Sequence, residues 1–158
     1  VTARLTIDDG SVPNGVVYSL GGRFGGHALF FQSGRLHYVY NWLGEEEQRL
    51  TADVPVPPGT RTLVLRYTID GYTGVVPSGP AQLIVDGDVA ASAQIRTQPG
   101  YFSIAGEGAT VGREVGQPVA VSYQSPFPFT GGTIHDVVVA VSGPTDHDTR
   151  LQAALGRD

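Results

Sequence analysis

The 158-residue chain contains no cysteine, no methionine and no lysine. Without cysteine it can form no disulfide, no thiolate metal site and no cysteine nucleophile, and the redox compartment stays open. No apolar run approaches the ~20 residues that a membrane-spanning helix needs. The net charge is −5, and the ten basic residues are all arginines that form no basic run, so the sequence disfavours nucleic acid as a partner.

The lack of methionine also bears on how the chain begins. The sequence opens at Val1 directly in strand-like sequence, so we expect a segment of a longer protein; removal of a start methionine is the alternative. The length predicts one domain with enough residues to bury a sizeable core.

Alternation of apolar and polar residues, punctuated by glycine and proline, predicts strands along most of the chain. The predicted strands are Arg4–Ile7, Val16–Leu20, His27–Gln32, Arg35–Asn41, Gln48–Ala52, Arg61–Ile69, Ala81–Val85, Val89–Ile95, Tyr101–Ile104 and Ile134–Val141. Ser33-Gly34 and Asp86-Gly87 predict two-residue hairpin turns, because glycine supplies the positive φ that such turns require.

Short strands with frequent turn signals predict an all-β fold, either a sandwich or a barrel. Arg61–Ile69 favours an antiparallel sandwich, because one of its faces is apolar and the other mostly polar. The residues on the apolar face are Leu63, Leu65, Tyr67 and Ile69.

Three segments fall outside this strand pattern. Residues 71–80 predict a flexible loop, and residues 112–132 predict a long irregular connection that is either functional or packed over a sheet. In residues 142–158, Thr145 and Asp148 have capping-box-like spacing and predict a short C-terminal helix that ends at Leu155. We assign this tail to the same domain as the sandwich of residues 1–141.

The segment "GGRFGGHALFFQSGRLHYVYNWLG", residues 21–44, contains six glycines and the only tryptophan. Its "GGRFGG" lacks the G-x-G-x-x-G spacing of a dinucleotide site and precedes a strand, so it indicates tight turns and close backbone approach. Strand alternation places four large side chains on one face: Leu36, Tyr38, Tyr40 and Trp42. That face predicts either core packing or a functional contact with a docked domain or a sugar.

Arg23 and His27 flank the same hairpin and are interpreted either as contact residues or as ordinary surface and hydrogen-bonded residues. The candidates for interface or ligand contact are therefore Arg23, His27, Tyr38, Tyr40, Asn41 and Trp42.

The sequence offers no catalytic set. No E-x-D-x-x-E pattern supplies paired carboxylates, no G-x-S-x-G supplies a nucleophile, and no H-x-x-x-H spacing supplies a zinc site. The run Glu45–Glu47 indicates a solvated turn, and Asp146-His147-Asp148 indicates helix capping rather than metal binding. A loop calcium site using Asp70, Asp86, Glu107 or Glu114 has no motif to support it. We therefore predict no catalytic residue, metal ligand or cofactor in this chain.

Four blocks of the sequence resemble the C-terminal domain of bacterial arylsulfatases. They are "RFGGHALFFQSGRLHYVYNWLG", "PPGTRTLVLRYTIDG", "AQLIVDGDVAA" and "VGQPVAVSYQSPFPFTGGTIHDVVVAV". Together they cover roughly residues 15–141, and the tail after Ser142 resembles the short helix that ends such sulfatases.

The resemblance implies a concanavalin-like or LamG-like jelly roll that follows a sulfatase catalytic domain. In that family the catalytic domain carries formylglycine, made from the Cys or Ser of C/S-x-P-x-R, and a calcium ion. Here "SVPNG" (Ser11–Gly15) has glycine where the motif requires arginine, so formylglycine and calcium are expected only in a catalytic domain outside this chain. Val115, Ala120 and Val121 stand where the resemblance implies acidic residues.

The leading hypothesis is a non-catalytic accessory domain that packs on a sulfatase catalytic domain of the same chain and shapes access of a sulfated substrate. The alternative is an independent glycan-binding module, in which aromatic rings stack on sugars and Asn41, Arg23 and His27 supply hydrogen bonds. A lectin-fold enzyme is the third hypothesis, and it lacks paired acids.

Overall fold

A computed structural model describes residues 1–99 and 107–143, and these residues form an all-β structure of eleven strands. The strands are β1 (Thr2–Ile7), β2 (Gly15–Gly22), β3 (Gly25–Gln32), β4 (Arg35–Trp42), β5 (Glu46–Thr51), β6 (Gly59–Tyr67), β7 (Gly71–Thr73), β8 (Val76–Val85), β9 (Asp88–Arg96), β10 (Thr110–Val111) and β11 (Gly132–Val138). Within the described ranges, no helix is long and apolar enough to cross a membrane.

The strands form two antiparallel sheets. The five-stranded sheet has the order β10-β2-β3-β4-β5, so it is built mainly from the aromatic hairpin and its neighbours. The six-stranded sheet has the order β11-β1-β6-β8-β7, and β9 also pairs with β8. The predicted all-β class and the sandwich of two antiparallel sheets are confirmed.

Both predicted hairpin turns are present. Ser33 and Gly34 have φ of 51° and 78° between β3 and β4, and Asp86 and Gly87 have φ of 51° and 98° between β8 and β9. Two consecutive residues with positive φ are typical of the type I′ turn, whose twist matches that of the strands it joins.

The glycines of residues 21–26 serve the close approach of β2 and β3. Gly21 and Gly26 lie opposite each other, and a Cβ atom on either would collide with backbone atoms of the other strand. This is the structural role that the sequence predicted for them.

The main core lies between the two sheets. Leu5 and Ile7 of β1 and Leu63 of β6 meet Phe31 of β3 and Leu36 of β4, and all five are at most 1% exposed. The apolar face predicted for Arg61–Ile69 is buried at Leu63 and Leu65. The last residue of that predicted strand does not follow the pattern, because β6 ends at Tyr67 and Ile69 is exposed.

A second core lies on the opposite face of the five-stranded sheet. Residues 112–131 fold over that face, and Val119, Ala120 and Tyr123 pack on Phe30 and Val39. The rings of Phe30 and Tyr123 meet edge to face with centroids 4.9 Å apart. The long connection is thus packed over a sheet, one of the two roles predicted for it.

One prediction about a connection is wrong. Residues 71–80 are not a loop: they contain β7 and the start of β8, where Gly79 lies so close to the Thr68 carbonyl that no side chain would fit. The glycines and prolines that suggested a loop are compatible here with an edge hairpin. The predicted strand Tyr101–Ile104 and the predicted C-terminal helix lie outside the described residues.

The run Glu45–Glu47 is exposed at Glu45 and Glu46, as predicted, but its placement in a turn is wrong for two of the three residues. Glu46 and Glu47 belong to β5. The Glu46 carboxylate pairs with Arg96 at 2.6 Å, and that of Glu47 pairs with Arg49 at 3.0 Å. Only Glu45 lies in the turn.

Phe31→Ala tests the inter-sheet core. Phe31 is fully buried, so its truncation should lower the free energy of unfolding by about 3–5 kcal/mol through lost burial and the cavity left behind. Denaturant unfolding measures the change. Val121→Ala is the control, because Val121 is 87% exposed and its truncation should change stability by less than about 0.5 kcal/mol. Equal effects of the two substitutions would contradict this account of the core.

Candidate functional site

The aromatic face of β4 points into the sandwich. Leu36, Tyr38 and Tyr40 are at most 9% exposed and belong to the inter-sheet core. Burial raises the pKa of the Tyr38 and Tyr40 hydroxyls, so both remain protonated at neutral pH. Leu36, Tyr38 and Tyr40 therefore pack in the core, which is the first of the two interpretations given for this face.

His27 of β3 lies in the same interior, opposite Tyr40 in the strand register. Its ring centroid is 5.6 Å from that of Tyr18, 5.9 Å from Tyr38 and 6.4 Å from Tyr40. Loss of solvation, with a smaller contribution from the ammonium group of Val1, lowers the pKa of the imidazole to about 4. His27 is therefore neutral at pH 7, and among the described residues its Nδ1 has no hydrogen-bond partner.

The hydroxyl of Tyr40 is used to hold the chain that leaves β9. It accepts a hydrogen bond from the backbone N–H of Gln98 at 2.7 Å and donates to Oε1 of Gln98 at 3.4 Å. Tyr40 therefore anchors the segment that follows β9 from inside the sandwich. Its hydroxyl is occupied by Gln98 and is not free for a ligand.

Trp42 lies at the same end and is partly buried. The Arg96 guanidinium stacks on its ring 4.6 Å from the centroid and pairs with Glu46. Next to it, the side-chain amide of Gln48 donates to the Arg96 carbonyl and accepts from the Arg96 N–H, each at 2.8 Å. These contacts join the edge of β5 to the edge of β9, so Trp42 fastens one sheet to the other.

Asn41 points to the opposite face of the five-stranded sheet and is 4% exposed. Its amide donates to the carbonyls of Val119 at 2.8 Å and Arg23 at 3.1 Å, and its oxygen accepts from the Gly44 N–H at 2.8 Å. We call residues 112–131, which cover this face, the covering loop. The Asn41 side chain therefore ties the covering loop to the β2–β3 and β4–β5 turns. Its hydrogen-bonding groups are fully occupied.

Arg23 is the one sequence candidate that lies in the open. It occupies the exposed β2–β3 turn beside Phe24, with its guanidinium 5.9 Å from the ring centroid. This turn packs against the β4–β5 turn at Gly44. We call this end of the sandwich, which also holds the junction of Trp42 and Arg96, the Trp42 end.

The Trp42 end carries several exposed apolar side chains. Four are more than two-fifths exposed: Phe24 (62%), Ile69 (47%), Tyr72 (67%) and Val75 (61%). The six candidates are thus divided: Tyr38, Tyr40 and His27 lie between the sheets, Asn41 lies under the loop, and Trp42 and Arg23 lie at this end. They do not form one exposed aromatic surface.

Sequence reasoning missed a buried carboxylate. Glu114 belongs to the covering loop and is 1% exposed, and its Oε1 accepts from the Val119 N–H of the same loop at 3.3 Å. Desolvation raises the pKa of the Glu114 carboxyl and outweighs the lowering by the nearby Tyr123 hydroxyl. Oε2 and that hydroxyl meet no hydrogen-bond geometry with any described residue. A lone glutamate between glycines gives no signal of burial in the sequence.

Glu107 is a second carboxylate at this site, and its charge also raises the pKa of the Glu114 carboxyl. Its Oε1 accepts from the Gln117 N–H at 3.1 Å, and its carboxylate fills the space that a side chain on Gly116 would need. Within residues 1–99 and 107–143, no group of three or more histidine, aspartate or glutamate side chains is placed to hold a metal ion. Glu107 and Glu114 bind the backbone of the covering loop, so the arrangement fixes that loop.

Comparison with known proteins adds little to this geometry. No protein-family model and no curated protein matches the chain. Among solved structures, the native heptameric SAP-like pentraxin from Limulus polyphemus superposes with a TM-score of 0.43 and 11% identity. The superposition covers 84% of this chain and 62% of that one, so the chain spans less than two thirds of the pentraxin. A likeness this distant does not bear on function, and the arylsulfatase resemblance stays a prediction.

His27 should make the sandwich less stable in mild acid. Its pKa is about 4 in the fold against 6.5 unfolded, so its contribution is complete above about pH 6.5 and is lost as the pH falls towards 4. The loss amounts to at most about 3 kcal/mol. Denaturant unfolding from pH 4 to 7 measures it, and His27→Gln should flatten this part of the profile. An NMR titration that gave His27 a pKa near 6.5 would refute the burial described above.

Glu114 has the opposite pH dependence. Its folded pKa is raised above the ordinary 4.5, so its contribution is complete below about pH 4.5 and is lost as the pH rises through the folded pKa. Glu114→Gln keeps the acceptor for Val119 and removes the buried charge. We expect the variant to equal the parent at pH 4 and to be more stable at pH 8 by thermal unfolding, with exposed Glu45→Gln unchanged. Lower stability of Glu114→Gln at both pH values would count against this role.

Proposed function

We propose that this chain is a non-catalytic accessory domain of an arylsulfatase-like hydrolase, docked on the catalytic domain by its Trp42 end. One observation carries the proposal: the polar groups of the aromatic hairpin are used inside the domain, while the Trp42 end exposes the large apolar side chains of Phe24, Ile69, Tyr72 and Val75. Tyr40 and Asn41 form hydrogen bonds to backbone groups, and His27 is neutral and partly buried between the sheets. These residues shape the domain and do not act on a substrate.

The position of the first residue supports docking by this end. The backbone nitrogen of Val1 donates to the Leu65 carbonyl at 2.8 Å, where β6 approaches its end at Tyr67. A catalytic domain joined ahead of Val1 would therefore be attached at the end of the six-stranded sheet that also holds Tyr72 and Val75. Apolar side chains gathered beside a chain connection suit a contact between domains.

The chemistry of the described residues also favours an accessory role. A glycosidase needs two carboxylates that face each other across an open groove. Glu114 is instead buried within the covering loop, and Glu46 and Glu47 are paired with Arg96 and Arg49. None of these carboxylates is placed to act on a bound molecule.

Glycan binding is the second candidate, and one local feature favours it. Phe24 exposes its ring next to the Arg23 guanidinium, and an exposed ring beside a hydrogen-bond donor suits a sugar. A glycan site would then use this turn rather than Tyr38 or Tyr40. Glycan-array binding by the purified chain that is lost in Phe24→Ala would favour this candidate over the accessory role.

The test of the accessory role uses the longer protein that the proposal requires. The reading frame ahead of Val1 should encode a sulfatase domain with C/S-x-P-x-R. In that full-length protein, Phe24→Ser with Tyr72→Ser should lower the melting temperature and reduce kcat/KM for aryl sulfates, because the docked interface loses apolar contact. Val12→Ser is the matched control, because Val12 is 60% exposed near the opposite end.

Three results would refute the proposal. One is an upstream frame that encodes no hydrolase domain. Another is turnover of 4-nitrophenyl sulfate by the isolated chain that a substitution within the chain abolishes. The third is a full-length protein that tolerates the double substitution as well as it tolerates Val12→Ser.

A further inference from the structure

A groove lies at the end of the sandwich opposite the Trp42 end. It has a volume of about 330 Å³ and runs between the segment Val54–Pro57 and the tip of the β8–β9 hairpin. That tip is about 25 Å from Arg96, the length of β9 at the usual rise of a strand. We call this cavity the distal groove. It is separate from the surface assigned to the accessory role.

Arg61 holds the two walls of the groove together. Its guanidinium donates to the carbonyls of Pro57, at 3.0 Å, and Pro58 on one wall. It also donates to the Asp86 carboxylate on the other wall at 2.9 Å, and Asp86 accepts from the Thr62 N–H at 2.8 Å. The prolines restrict the backbone of the first wall further. The groove is therefore a preformed feature, which reduces the cost of ordering it around a ligand.

The lining of the groove is apolar with an acidic rim. Val54 and Val89 line it while 68% and 56% exposed, and Pro55 and Ala90 lie between them. Asp88 also lines the groove and is exposed, and no arginine or histidine of the described residues pairs with it. An occupant must therefore offer apolar surface together with a positive charge.

The groove also follows the free edge of a strand. Within the described residues, β9 pairs as a strand only with β8. Gln48 of β5 holds its other edge at Arg96, whereas the part of that edge beside the groove has no strand partner. At the groove, Val89 pairs with Ile84 and Ala91 with Leu83, which leaves Ala90 as an extra bulged residue. An exposed edge beside an apolar groove suits an extended polypeptide, whose backbone pairs with the edge while a side chain enters the groove.

We propose that the distal groove binds an extended polypeptide segment that carries an apolar side chain next to an arginine or lysine. The apolar side chain lies between Val54 and Val89, and the basic side chain pairs with Asp88. A sugar is a poor match, because the lining contains no aromatic ring and few hydrogen-bonding groups. The inference does not depend on the accessory role, because that role uses the opposite end.

A selection of random heptapeptides displayed on phage tests the proposal with the purified chain as bait. The enriched peptides should combine a large apolar residue with arginine or lysine at a fixed spacing. When the selection is repeated with the Asp88→Lys variant as bait, the enriched peptides should carry aspartate or glutamate in place of the basic residue and should keep the apolar residue. Asp70→Lys is the matched control, because Asp70 is an exposed aspartate at the Trp42 end, and it should leave the basic preference unchanged.

The best basic peptide then provides a quantitative probe by fluorescence anisotropy. Val54→Ser with Val89→Ser should weaken its binding roughly tenfold, because apolar contact is lost. Asp88→Asn should weaken it about two- to fivefold, as expected for an exposed charge pair. All three side chains in these variants are exposed, so the melting temperature should stay that of the parent and exclude misfolding.

Several outcomes would overturn the inference. These are a selection without enrichment, an enriched set without basic residues, or no change of preference in Asp88→Lys. Binding that survives the double valine substitution would also overturn it, because the peptide would then lie elsewhere. None of these outcomes bears on docking by the Trp42 end, so the two proposals fail separately.

Discussion

The structure depends on the burial of one face of the aromatic hairpin against the second sheet. Phe31, Leu36 and Tyr38 meet Leu5 and Leu63 in a continuous core, and burial of apolar surface is the main force that stabilises a sandwich of this size. This face cannot also be a binding surface. In the sequence, the large aromatic side chains of this face suggest contact with a sugar or another domain. In the structure, they hold the two sheets together.

The second constraint follows from the first. With its inner face buried, the five-stranded sheet still presents Phe30 and Val39 outward, and residues 112–131 cover them. The backbone of the covering loop then needs hydrogen-bond partners. Asn41 of β4 supplies one from beneath, and Glu114 supplies another from within the loop. A buried carboxylate is costly unless its surroundings compensate it, which explains the raised pKa of Glu114. Asn41 and Glu114 are polar residues of the kind found in functional sites, and here they stabilise the conformation of a loop.

Contacts that fix the ends of the sandwich also separate its two candidate surfaces. At one end, Arg96, Trp42 and Gln48 fasten β9 to β5. At the other end, Arg61 joins two walls but leaves an open groove between them. A domain docked at the first end would leave the second accessible. The fold thus allows one surface for assembly within a longer chain and another for a separate partner.

Local chemistry in the sequence determined the hairpin turns at Ser33-Gly34 and Asp86-Gly87, and the shared face of Leu36, Tyr38 and Tyr40, because backbone preference and two-residue alternation act between near neighbours. Only the tertiary structure decided which surface covers that face. Alternation of residue types shows that a face is apolar, but it does not show what packs against that face. The tertiary structure likewise decided the burial of Glu114, the contact of Arg96 with Trp42 and the groove beside Asp88. Each of these joins residues more than 30 positions apart or depends on a neighbouring strand, and no short stretch of sequence contains that information.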